Sequence, residues 1–285
     1  NTITNNYFGI LTNTTKTTNN TIINNNITLN QELGIGTWNS DNCVIYGNTI
    51  TYNGYGGMTI FDSNNCIIHT NLIMENFGPD TDYSSGILIS GSNDTIISNN
   101  LLPKNIFGIY IDYCENCTVY GNLLAQGMVG IYTDYSSVDI NFNRIAINLD
   151  YELINENGDV DATNNWWGSN SNPLNLGEII SENGYTDYNP WLVLSIDPTS
   201  TVNSGGNTSI TADLTHNNLG EDTSSLGHVI KGIPITFSTS YGTIKSPALT
   251  FNGQAAAILN LGTTASKTVT VNAYLDNQTV SKQMV

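Results

Sequence analysis

Apolar residues recur at a fixed interval through the first half of the chain. Cys43-Val44-Ile45-Tyr46-Gly47-Asn48 is echoed by the segments from Cys66 to Asn71, Thr95 to Asn100, Cys117 to Asn122 and Val138 to Asn143. Thr21 to Asn26 reads as an earlier copy. The closing asparagine falls at Asn26, Asn48, Asn71, Asn100, Asn122 and Asn143, in steps of 22, 23, 29, 22 and 21 residues. A second phrase keeps the same rhythm: Gly9-Ile10, Gly34-Ile35, Gly57-Met58, Gly86-Ile87, Gly108-Ile109 and Gly130-Ile131. Within each copy apolar residues stand two apart, as in Ile109 and Ile111, which marks a strand with one buried face.

A unit of about 22 residues holding two or three short strands cannot bury its apolar face alone, but stacked units share a core. The pattern therefore predicts an all-β chain whose residues 1–192 form a right-handed, single-stranded parallel β-helix of six to seven coils. Two inward columns are expected. One is Thr21, Cys43, Cys66, Thr95, Cys117 and Val138; the other is Ile23, Ile45, Ile68, Ile97, Val119 and Ile140. The six asparagines would form an amide ladder that satisfies buried polar groups from coil to coil. The surplus in the longest step, residues 77–85, is expected to bulge outward as a loop, where solenoids often carry individual function.

The rhythm fades after Ile147. A solenoid must cover its open end, and Trp166 and Trp167 are expected to cap it within residues 161–191. From residue 193 the runs 193–196, 208–212, 233–237 and 268–273 alternate cleanly between turns, which predicts a C-terminal immunoglobulin-like β-sandwich over 193–285.

Charge narrows the partners. Asp and Glu total 24 against 7 Lys and Arg, giving a net charge of −17. A chain so poor in cations cannot neutralise phosphates, so nucleic acid is excluded as a partner, and acidic polysaccharides would need a bridging Ca²⁺. Nothing in the segment suggests membrane insertion, and it opens in mid-pattern, as part of a longer chain would. Sequons headed by Asn13, Asn19, Asn93, Asn116, Asn207 and Asn277 are in keeping with secretion.

Candidate chemistry gathers on one stretch. Alternation in Gly108-Ile109-Tyr110-Ile111-Asp112 and Gly130-Ile131-Tyr132-Thr133-Asp134 sends Tyr110, Asp112, Tyr132 and Asp134 outward on neighbouring coils. Stacked carboxylates repel, raising one pKa or inviting a cation, and tyrosine faces beside acids suit sugar binding. No catalytic residue and no metal site is assigned. Lys104 and Arg144 fall on different registers and form no basic cluster of the kind a lyase needs. His69, His216 and His228 lack zinc spacing. Cys114 and Cys117 have no second pair, Cys114 lies off the inward column, and Cys43 and Cys66 are read as buried thiols, with a bridge between them left open. A copper-associated β-helix protein, a third reading, finds no His/Met/Cys cluster.

The Asn-x-Ile and Gly-Ile coils resemble the repeat shared by carbohydrate-active enzymes and surface adhesins of the right-handed parallel β-helix type. The run from Asp161 to Pro173, with Asn164-Asn165-Trp166-Trp167-Gly168, resembles the end of the β-helix in large adhesin-like proteins of methanogenic archaea. Ile233 to Phe237, Gly242-Thr243-Ile244 and Asn252 to Ala255 are similar to the bacterial immunoglobulin-like domain of invasin and intimin. These resemblances imply an extracellular, cell-surface adhesin that binds glycans or partner cells, without enzymatic activity. The alternative is a polysaccharide-active β-helix enzyme, a glycoside hydrolase or lyase.

Overall fold

The computed structural model describes residues 1–78, 84–198, 205–263 and 268–284. Most of the loop expected at 77–85 lies outside the described residues.

The N-terminal part is a parallel β-helix with three walls. The first wall stacks seven short strands, from Thr2–Thr4 to Arg144–Ala146. The second stacks eight, from Ile10–Thr18 to Ile179–Ser181, and the third eight, from Thr21–Ile23 to Tyr185–Asp187. The rod thus has about eight turns, against the six to seven expected. The extra turns lie at the C-terminal end, where Gly158–Asp161 and Tyr185–Asp187 lack the asparagine phrase that marks the earlier coils.

Isoleucine fills the core because most strands are three to six residues long and point one or two side chains inward, and a β-branched chain packs well on a pleated surface. Ile27, Ile50 and Ile73 line the first wall, Ile87, Ile109 and Ile131 the second, and Ile45, Ile68 and Ile97 the third, all fully buried. In the first coil the register is one residue off the expected columns. Thr21 pairs with Val44 and Ile22 with Ile45, so Ile22 points inward, Thr21 is exposed and Ile23 only partly covered.

The same slip moves the ladder. Asn25, not Asn26, gives its backbone N–H and its Nδ2 to Asn48 Oδ1, at 2.9 and 3.1 Å. Asn26 is exposed in the first-wall strand Asn26–Thr28. Three consecutive asparagines hid the register. From Asn48 the pattern repeats through Asn71, Asn100, Asn122 and Asn143 to Asn165. Each Nδ2 also reaches back to a carbonyl of the preceding coil, as Asn71 does to Ile45 at 2.9 Å.

The other two corners carry polar spines of their own. Asn6, Asn30, Asn53, Asn76 and Asn105 join the first and second walls by the same bonds. Ser40, Ser63 and Ser92 join the second and third, the backbone N–H of Ser40 and of Ser63 bonding the next hydroxyl, and Cys114 donates likewise to Ser136. Corners also demand left-handed backbone. Asn24, Thr70, Asn99, Phe142 and Asn164 at one corner, and Leu29, Tyr52, Glu75, Lys104 and Ile147 at another, all have φ between 53° and 59°. Asparagine tolerates that region better than most residues, so the Asn-rich composition has two causes, turn and ladder.

The Gly-Ile phrase has a cause of its own. A Cβ on Gly34, Gly86 or Gly108 would lie 2.6–2.7 Å from the carbonyl oxygen of Gly57, Gly108 or Gly130 in the next coil. Only glycine permits that approach.

At the C-terminal end Trp166 and Trp167 part company. Trp167 packs into the β-helix core, whereas Trp166 joins the core of the C-terminal region. Consecutive residues of an extended segment point to opposite faces, so one closes the rod and the other fastens the two sheets beyond it. Leu192–Pro198, Asn207–Asn217, Gln254–Asn260 and Thr243–Ile244 form one antiparallel sheet. Ala248–Leu249, Pro234–Thr239, Val269–Leu275 and Gln278–Met284 form the other. This arrangement is compatible with an immunoglobulin-like sandwich. Asp276 ties it to the rod. Its carboxylate accepts from Trp166 Nε1 at 2.7 Å and from both Nε, at 3.0 Å, and Nη2 of Arg144.

Candidate functional site

The outer face of the second wall gathers the predicted residues. In strands Phe107–Asp112 and Val129–Asp134, Ile109, Ile111, Ile131 and Thr133 fill the core, leaving Tyr110, Asp112, Tyr132 and Asp134 outward. The register pairs Tyr110 with Tyr132 and Asp112 with Asp134. The two rings stack with centroids 4.5 Å apart and planes 21° from parallel, and Phe107 meets both edge-on.

The electrostatics are those of a crowded acidic column. Partial burial, and then the charge of Asp134, push Asp112 above the usual carboxylate range, while a hydrogen bond from Ser90 opposes the shift. Asp134 Oδ1 accepts from Asn157 Nδ2 at 2.7 Å. Burial also raises the Tyr132 phenol, helped by its hydrogen bond to Glu156.

Several further residues of this face escaped the sequence reading. Tyr113 and Tyr135 turn the corner just after the aspartates with φ of 48° and 42°, a conformation costly for bulky side chains. Their exposed rings stack at 5.1 Å and 6°. Trp38 and Phe61 continue the aspartate column downward, since Trp38 pairs with Phe61, Phe61 with Ser90, and Ser90 with Asp112. Both border a surface hollow of about 400 Å³. The signal was present: Trp38, Phe61, Ser90, Asp112 and Asp134 each lie four residues past a column glycine. At about 4.8 Å per coil the five positions span roughly 19 Å. Aromatic faces at one end and carboxylates at the other can stack on sugar rings and accept hydroxyl hydrogen bonds.

The other candidates lie elsewhere. Lys104 pairs with Glu75 at 3.1 Å, and Arg144 is buried against Asp276, so neither belongs to this face. Cys114 and Cys117 form a disulfide that the spacing alone did not reveal; Cys114 lies off the Cys117 column, as expected, yet is part of the core. Cys114 is fully buried because it occupies the serine position of the third spine. Cys43 and Cys66 are free and buried. His69 stacks on Tyr46, His216 Nδ1 meets Asp213 Oδ2 at 2.8 Å, and His228 lines a cleft beside the sandwich. Among the described residues no group of three or more His, Cys, Asp or Glu is placed to hold a metal ion.

A family model described as a right handed beta helix region matches residues 1–124. No curated protein matches the chain. Among solved structures it is similar to a variant of the periplasmic alginate epimerase AlgG, at 15% identity over 60% of this chain and 45% of that one, with a TM-score of 0.44. Tailspike protein 2 from Escherichia coli O157:H7 bacteriophage CAB120 gives 14%, 93%, 46% and 0.42. DFA-IIIase from Arthrobacter chlorophenolicus A6 gives 10%, 59%, 48% and 0.32. The chain spans less than half the length of each.

Proposed function

We propose that this chain is an extracellular, adhesin-like display protein of the archaeal surface type, whose second wall binds glycan and whose sandwich serves as an invasin-like stalk. The observation that carries the reading is the aligned column from Trp38 to Asp134 with the stacked Tyr110–Tyr132 pair beside it. Aromatic rings supply apolar area at low entropic cost, and carboxylates select polyhydroxylated ligands over apolar ones. The face carries no Lys or Arg at its named positions, so neutral oligosaccharides are the expected class, with Ca²⁺ required for acidic ones. A glycan on a partner cell would be met by the flank of the rod, not by its tip.

The Asp112–Asp134 pair supports a second reading as a glycoside hydrolase. In-register strands set the two carboxyl groups near the spacing of a retaining pair, and the raised pKa of Asp112 suits an acid. A lyase fits less well, because Lys104 and Arg144 are both engaged elsewhere.

A neutral-glycan array run with a reducing-sugar assay separates the two readings. Saturable binding without release of reducing ends, weakened about tenfold in Tyr110→Ala or Tyr132→Ala by loss of stacking area, supports display. Turnover abolished by Asp112→Asn or Asp134→Asn would establish the hydrolase. Binding left intact by both tyrosine substitutions would move the site off this wall.

A further inference from the structure

The sandwich does not lie flush along the rod. Where it diverges from the fourth and fifth first-wall strands, Leu72–Met74 and Leu101–Pro103, it leaves a cleft of about 430 Å³, a size at which small-molecule pockets occur. Leu72 and Leu101 line it from the rod, and Ile230, Phe251, His228 and Lys231 from the sandwich. Phe251 and Leu101 stand exposed there, at 68% and 37%.

The charge of this cleft is opposite to that of the molecule. The chain carries 24 acidic and 7 basic residues, yet the described lining includes Lys231 and His228 and no Asp or Glu. Among the described residues, Lys104, Arg144 and Lys282 each face a carboxylate. Lys231 and Lys245 are exposed and have none among them, and of the two it is Lys231 that lines the cleft. His228 gives its Nδ1 hydrogen to the Val229 carbonyl at 3.1 Å, which leaves Nε2 for a ligand. It also borders the adjoining polar hollow that holds His216 and Asp222.

From the apolar walls and the unpaired cation we infer that the cleft is a binding site for a small carboxylic acid with an aromatic or aliphatic body. The apolar part lies against Leu72, Leu101, Ile230 and Phe251, and the carboxylate meets Lys231. Both regions supply walls, so an occupant bridges rod and sandwich and stabilises their docking by mass action. This site is independent of the glycan face, which lies on a different wall.

Three probes of one shape test it on the full chain by calorimetry: 3-phenylpropionate, 3-phenylpropan-1-ol and 3-phenylpropan-1-amine. The acid is expected to bind saturably, about fivefold more tightly than the alcohol, as an exposed ion pair allows, and the amine more weakly still. Lys231→Ala abolishes the preference for the acid over the alcohol, and Lys231→Arg keeps it. Phe251→Ala weakens both by about tenfold, the value of one covered aromatic ring, and Lys282→Ala changes neither. Phe251 and Lys231 are exposed, so circular dichroism of each variant should match the parent. Absence of saturable binding by the acid, or an acid preference that survives Lys231→Ala, overturns the inference.

Discussion

The rod and the sandwich solve the same problem, burying apolar side chains on β-strands, by different rules. In the rod every strand pairs with the copy of itself one coil away, in parallel. Equivalent residues stack, and polar groups at the corners are satisfied by identical neighbours above and below. Asn48, Asn71, Asn100, Asn122 and Asn143 are almost completely buried for that reason. In the sandwich the strands are antiparallel, partners are unlike, and burial simply alternates, as in Gln254–Asn260. Repetition puts chemically identical groups in a line, which is useful for binding an extended ligand and hazardous where the groups are charged.

The largest expected effect comes from cutting the tie between the two regions. Asp276→Ala leaves Arg144 buried and unpaired, a loss of about 4 kcal/mol by analogy with other broken buried pairs. Calorimetry should then resolve separate rod and sandwich transitions. A single unshifted transition would mean the two regions are coupled by apolar contact alone.

Next is a group at the end of the rod. Burial pushes Glu152 from 4.5 up to about 7, with Asn148 hydrogen bonds opposing and Glu178 adding to the shift. Below pH 4.5 the carboxyl is neutral in folded and unfolded chains alike, and its contribution is intact. As pH rises toward 7 the unfolded chain releases its proton first, so stability falls, by up to about 3 kcal/mol. Glu152→Gln should flatten the decline of urea midpoint between pH 5 and pH 8.

Glycines sharpen the contrast further. Gly108→Ala in the rod drives a methyl into the Gly130 carbonyl and should cost about 2 kcal/mol or more. Gly232→Ala in the sandwich meets nothing within 4 Å and bears only the strain of φ 92°, about 1 kcal/mol. Equal urea-midpoint shifts for the two would deny that the rod is the more closely stacked. The smallest effect is a gain: Asp112→Asn relieves like charges in register and should raise stability by about 0.5 kcal/mol, with a smaller gain in 1 M salt.

The rod was legible because one rule is written many times. A spacing of about 22 residues fixes the coils, and alternation within Gly108 to Asp112 fixes which tyrosines and aspartates face outward. The rule failed where neighbours were alike: Asn24, Asn25 and Asn26 carry no mark of which one turns inward. It also failed where a different residue takes a repeated place, as Cys114 does in a serine spine. Trp38 and Phe61 were missed because they share a position with the aspartates and not a chemistry. The interdomain cleft had no signal at all, since Leu101 and Lys231 meet only through docking.

Cross-linking tests the central claim most directly, namely that residues one coil apart lie over each other on the second wall. In Asp112→Cys/Asp134→Cys the two Cα atoms stand about 4.8 Å apart, within disulfide range. Mild oxidation should close the bond nearly completely, as read by intact mass after alkylation. Asp112→Cys/Glu156→Cys, two coils apart at roughly 9.6 Å, should remain open under the same conditions. Closure of the second pair, or failure of the first, would contradict the stacked register and with it the aligned face proposed to bind glycan.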